Sequence, residues 1–266
     1  QLLGLLNQLA DDLQRDYIWQ ALSTEYRFTT QFLTTTGTTT AGSAIITGIA
    51  NTTGIDATYQ VMGVGMNTDT YVATLGSPTQ VTMTQAATAS GVTTINFCKV
   101  KYAMPVGYDR IVDRTQWDKT QHWELLGPET AQMWQWLKSG YIATGPRIRW
   151  RIMGGYFQIW PAVAKAEYLG FEYVSNAFAV GADGTPKTQF TADDDTCIFP
   201  DGLMITGLKM MYQQAKGLGY EFVAKYEDLL AIAKANDAGS ADLHMNPRPL
   251  NTLIGWENLP DSGFGN

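Results

Sequence analysis

The stretch TTTGTTTAGSAIITGIA, residues 34–50, decides how the chain is divided. It carries no charge and follows a leucine-rich opening segment, so it reads either as a flexible linker or as the first strand of a separate β-domain. Its surroundings weigh on that choice. Between Arg27 and Lys99 the only charged residues are Asp56 and Asp69, whereas charge is ordinary elsewhere. Inside that boundary lie five short β-branched runs, SAIITGI (43–49), YQVMGVG (59–65), TYVATLG (70–76), TQVTMTQAA (79–87) and VTTINFCKV (92–100). Turn signals at 51–54, at 63–69 and at Gly76-Ser77-Pro78 separate them. Such spacing predicts a small immunoglobulin-like sandwich or barrel inserted at 36–96, with the linker reading kept only for 34–41.

The flanks form the host, expected at 1–35 and 97–245. Leu2, Leu5, Leu6, Leu9 and Leu13 fall at helical steps and predict an amphipathic opening helix. TEYRFTTQF alternates as a strand does. GPETAQMWQWLKSG predicts a short helix with Pro128 in its first turn and Gly140 as its stop. RIRWRIMGGYFQIWP predicts a hairpin turning at Gly154-Gly155, and AEYLGFEYVSNAF a further strand. Two helices, 200–216 and 220–235, joined through Gly217-Leu218-Gly219, predict antiparallel neighbours. The expected class is therefore α+β: a helical-bundle host with a hairpin or small sheet, an inserted all-β sandwich, and an extended tail at 246–266.

Composition restricts the function classes. Hydrophobic residues make up 45% of 266, enough for a substantial core, while a net charge of −7 and a pI near 4.8 argue against gripping nucleic acid. No apolar run approaches the ~18 residues of a membrane span, and the start of the chain lacks signal-peptide character. The chain opens on Gln1 rather than Met, which predicts that residues before it are missing. Cys98 and Cys197 form no metal spacing; two buried thiols are the favoured reading over a disulfide.

Chemical motifs are sparse. No nucleophile elbow, zinc-protease helix, phosphate loop or dinucleotide fingerprint is present, and neither a catalytic site nor a cofactor or metal is expected. His122 reads as a surface or half-buried imidazole, and Asp193-Asp194-Asp195 as a solvated loop rather than a calcium site. An enzyme would need paired carboxyls such as Glu124 and Glu129, and nothing in the spacing joins them. Arg147, Arg149 and Arg151 alternate with apolar residues, giving a basic hairpin face that reads either as solvated or as an interface with a neighbouring subunit. Trp134, Trp136, Trp150 and Trp160 read as core rather than as sugar platforms. Trp256, Leu259 and Phe264 stand on an irregular segment bounded by Pro247 and Pro249, where large apolar groups need a docking surface.

With the insert set aside, the phrases LLNQLADDLQRDYIWQALSTEYRFTT, KYAMPVGYDRIVDRTQWD, LLGPETAQMWQWLKSG, GPRIRWRIMGGYFQIWP and FEYVSNAFAVGADGTPKTQFTADDDT, with the closing helix pair, resemble the head-to-tail adaptor proteins of short-tailed bacteriophages, the tail tubular protein A type. The insert resembles the immunoglobulin-like repeats that decorate phage structural proteins. The resemblance implies a virion neck protein, assembled in the host cytoplasm as a ring of about twelve copies between portal and tail nozzle, through which DNA passes without specific binding. It implies that the tail, with Pro247, Pro249, Trp256, Leu259 and Phe264, docks on the portal, and that Arg147, Arg149 and Arg151 face a subunit or the nozzle. Tail fibres are the further partner it offers, through the insert. The competing reading is a receptor- or carbohydrate-binding module carried by the insert, whose aromatics are limited to Tyr59 and Tyr71 before residue 97.

Overall fold

The computed structural model describes residues 1–140 and 147–238. Helix α1 (Leu2–Asp16) leads through a single 3-10 turn (Gln20–Leu22) to β1 (Ser23–Thr29). There follow β2 (Phe32–Thr39), β3 (Ile45–Ile46), β4 (Tyr59–Gly63), β5 (Val72–Ser77), β6 (Gln80–Met83) and β7 (Gly91–Lys99). Next come β8 (Lys101–Ala103), β9 (Tyr108–Ile111), β10 (Trp117–Asp118), β11 (Trp123–Glu124) and helix α2 (Ala131–Lys138). The chain continues through β12 (Arg149–Met153), β13 (Tyr156–Trp160), β14 (Tyr168–Ser175), β15 (Ala179–Val180), β16 (Pro186–Lys187) and β17 (Thr196–Cys197) to helices α3 (Asp201–Lys216) and α4 (Val223–Ala238).

The paired strands of the nearly uncharged stretch run from Phe32 to Lys99, wider than the expected 36–96. Two antiparallel three-stranded sheets, β2-β7-β4 and β3-β6-β5, face each other over Ile46, Ile49, Val61, Val72, Val81, Ile95 and Phe97. The stretch 34–41, left open as a linker, is strand as far as Thr39, paired in unbroken register with β7 from Phe32↔Cys98 to Thr39↔Gly91. Gly37 has a packing reason: a Cβ there would lie 2.7 Å from Ile95 Cδ1 and 2.8 Å from Ile46 Cγ2, where the two sheets come together. Threonines flank it on both faces, because β-branching suits the pleat whether the hydroxyl meets water or, as Thr39 Oγ1 does, the Ala89 carbonyl at 3.0 Å.

The host departs from the expected helical bundle. It is built mainly of antiparallel sheets: a five-stranded one ordered β1-β14-β10-β11 with β9 also on β14, a three-stranded one ordered β12-β13-β8, and the small β16-β15-β17. The physical reason lies between residues 97 and 200, where alternating aromatic and β-branched residues outnumber helical patterns. The first two sheets share a core in which Trp150 stacks on Phe157 at 5.3 Å and Phe157 on Phe171 at 4.9 Å. The hairpin turns at Gly154 and Gly155, both at positive φ, as read from the sequence.

Helices α1, α3 and α4 cover the other end. Leu9, Ala10, Leu13, Leu203, Met204 and Ala233 share a core with Trp19, Val174, Phe178 and Phe199, and Asn7 ties α1 to Phe190 through both its amide atoms. Helix α2 starts at Ala131 rather than near Pro128, because the Thr130 hydroxyl accepts the Met133 N–H and sets the cap there. Its Trp134 and Leu137 pack on Trp160. Among the described residues, no helix is long and apolar enough to cross a membrane.

Candidate functional site

The chain crosses from host to insert at two consecutive residues with opposite allegiances. Thr30 belongs to the host: its N–H donates to the Glu167 carbonyl at 2.9 Å, its hydroxyl donates to the Lys165 carbonyl at 2.7 Å, and that hydroxyl accepts the Glu167 N–H at 2.7 Å. Gln31 belongs to the return path. Its carbonyl accepts the Lys99 N–H at 2.8 Å, its N–H donates to the Tyr102 hydroxyl at 3.1 Å, and its side-chain oxygen accepts from Tyr59 and Lys99. Burial pushes the Tyr102 phenol well above its ordinary range, so it serves as a neutral relay.

A second tie lies in the loop before β5. Tyr71 packs on the host core with Lys101 Nζ 4.9 Å and Lys138 Nζ 5.0 Å from its ring centroid, and Lys138 lies 3.1 Å from Asp69 Oδ1. Asp69 takes a left-handed φ of 62° to present its carboxylate there, and Lys138 extends from the last turn of α2. One face of the insert is therefore fastened to the host by charge and ring contact together. Tyr59 is buried and Tyr71 is covered by two ammonium groups, so neither aromatic offers an open ring for stacking on a sugar.

The three hairpin arginines occupy separate settings. Arg149 pairs with Glu129, which the structure thereby commits to an internal tie, and Glu124 lies on β11 opposite Trp117. Arg147 lies over the Trp123 ring at 5.8 Å, exposed, and Arg151 is half-buried opposite Gln158. The basic face is not one continuous surface, because helix α2 packs on Trp160, the neighbour of Arg149 across the strand pair.

The remaining candidates resolve into local roles. Asp195 accepts the N–H groups of Thr191 at 2.7 Å and Ala192 at 3.0 Å and pairs with Lys187, which holds its carboxyl far below the ordinary range. Its neighbours Asp193 and Asp194 are exposed, and among the described residues no group of three or more ligating side chains gathers for a metal. Cys98 and Cys197 are free thiols, the first buried on β7 and the second half-buried against the helical core, and burial pushes Cys98 up to about 11. His122 is exposed at a left-handed φ of 56° in the turn between β10 and β11. Pro247, Pro249, Trp256, Leu259 and Phe264, and His244 with them, lie outside the described residues.

The helical end presents several large apolar side chains to solvent. Ile205 is 55% exposed, Leu218 68%, Tyr220 79% and Ile232 56%. A groove of about 450 Å³ lies between α1 and α4, lined by Leu13, Tyr226 and Leu230 with Asp12, Arg15 and Asp16. Against protein-family models and curated proteins, the chain finds no match.

Sequence reasoning missed the junction. Asp69 and Tyr71 carried the available signal: in a segment almost free of charge, an aspartate two positions from an aromatic has few reasons to be there other than a partner outside the segment. Lys101 and Lys138, far apart in sequence, gave no sign of converging on it.

Proposed function

We propose that the chain is a structural virion protein, a head-to-tail adaptor that joins its own copies into a ring between portal and tail nozzle and continues the DNA channel. The observation that carries this reading is the apolar outer surface of the helical end. Ile205, Leu218, Tyr220 and Ile232 lie on helices, or on the connection between them, that already fill their own core, and their exposure supports a contact with another chain. The resemblance in the host phrases supports the same role. An acidic subunit also suits the wall of a conduit, since like charge weakens contact with phosphate.

The C-terminal stretch with Trp256, Leu259 and Phe264 is the portal-docking element of this reading. Removing residues 247–266 is expected to leave a folded subunit, with an unchanged circular dichroism spectrum, that no longer attaches to portal rings in a pull-down. Normal capture of the truncated chain would overturn the docking assignment.

A further inference from the structure

Among the described residues, Asp118 and Glu167 are the carboxylate residues whose whole surface is buried, 5% and 3% exposed, and their carboxyl groups are in hydrogen-bond contact with each other. Topology forces the encounter. Asp118 on β10 is paired with Leu169 on β14, and Glu167 lies two residues before Leu169, so alternation along the extended chain puts both carboxyls on one face. Backbone bonds from Lys119 N to the Tyr168 carbonyl at 2.8 Å and from Tyr168 N to Thr120 Oγ1 at 2.7 Å hold the two segments together. One oxygen of Asp118 is already taken by the N–H groups of Thr120 at 2.9 Å and Gln121 at 3.1 Å.

The nearby charges do not balance the pair. Lys165 reaches Glu167 from a largely exposed position, 61% against 4% for the two side chains. From the neighbouring strand, Glu25 is committed to Arg27 and Lys119 in an exposed network of its own. His122, in the turn that follows Asp118, is exposed. Two buried carboxyls in contact, with one cation at the rim, cannot both stay ionised at little cost; the low-energy arrangement is one carboxylic acid donating to one carboxylate.

We propose that Glu167 keeps its proton and donates it to Asp118, and that this acid–carboxylate hydrogen bond is a pH-sensitive fastening of the crossing into the inserted sandwich. The mechanical link is direct, because the Glu167 backbone gives and receives the hydrogen bonds that hold Thr30, the last host residue before Gln31 and β2. Release of the proton to solvent leaves two carboxylates in contact, and their repulsion pushes the 165–167 segment away from β10 and loosens Thr30. Burial, the largest influence, and Asp118 raise the Glu167 carboxyl above its ordinary range, against the opposing pull of Lys165. A raised folded-state value means that the fastening is complete below the ordinary carboxyl range and is lost as pH rises through the raised value.

Hydrogen exchange of the full chain, followed by mass spectrometry on peptides covering residues 28–33 and 163–170 and corrected for intrinsic exchange, reads this opening. Opening of both peptides is expected to grow with pH, by up to about tenfold for each unit by which the Glu167 carboxyl titrates differently in the folded and unfolded chain. Glu167→Gln, whose amide donates permanently to Asp118, removes that rise, as does Asp118→Asn from the other side, while His122→Gln retains it. Carbon-13 titration of the glutamate side chains in the unaltered protein follows the same proton whether or not the variants fold, with one glutamate expected to titrate above the others. Opening independent of pH, an equal rise in both carboxyl variants, or glutamates that all titrate together would overturn the proposal.

Discussion

Gly207 is where three helices touch. A Cβ at this position would lie 2.7 and 2.9 Å from the two terminal carbons of Leu9 on α1 and 2.9 Å from Tyr226 Cε2 on α4. Gly207→Ala is expected to destabilise the protein by about 1–3 kcal/mol through overpacking, although alanine gains about 1 kcal/mol in helix propensity; a urea melt followed at the helical band measures it. Glu25 offers a residue-scale test of opposite sign to the buried pair. Hydrogen bonds from Arg27 and then Lys119 hold its carboxyl down at about 2. Its folded value is depressed, so its contribution is present above the unfolded value and is lost as pH falls from about 4.5 toward about 2. Thermal melts across that window should show Glu25→Gln losing less stability on acidification than the unaltered chain, by an amount kept small by solvent screening at this exposed site.

At the scale of elements, the inserted sandwich owns its core, and the host helices own another. Phe32 and Cys98 face each other across β2 and β7, so their backbones are already at the distance that a two-residue hairpin turn spans. Replacing residues 33–97 with Asn-Gly is expected to preserve the helical circular dichroism signal, since α1, α3 and α4 draw no core residue from the insert. Loss of that signal with aggregation would show that the ties through Gln31, Asp69 and Tyr71 are needed for folding and not only for alignment. The sequence made the sandwich legible because its strands are short, β-branched and nearly uncharged, and the hairpin legible through Gly154-Gly155. It left the host sheets half-hidden, because β10, β11, β15, β16 and β17 are two-residue strands whose partners are distant in sequence. So brief a run has no period to detect. The helical ends then weighed too heavily and gave the impression of a bundle.

At the scale of the whole molecule, the described residues join three large cores and the small cluster of Trp134, Leu137 and Trp160: a helical end with apolar side chains in solvent, a central pair of sheets, and a sandwich tied down at its crossing and at Tyr71. The arginines singled out in the sequence illustrate the limit of pattern reading, since alternation placed them on one face but could not show Glu129 meeting Arg149 or α2 packing beside it. The proposed role rests on the helical end meeting other chains. Mass measurement of the purified protein, alone and mixed with portal rings, tests that claim most directly. A complex carrying a ring of adaptor copies on each portal is the predicted result, and a chain that stays monomeric in every mixture would contradict it.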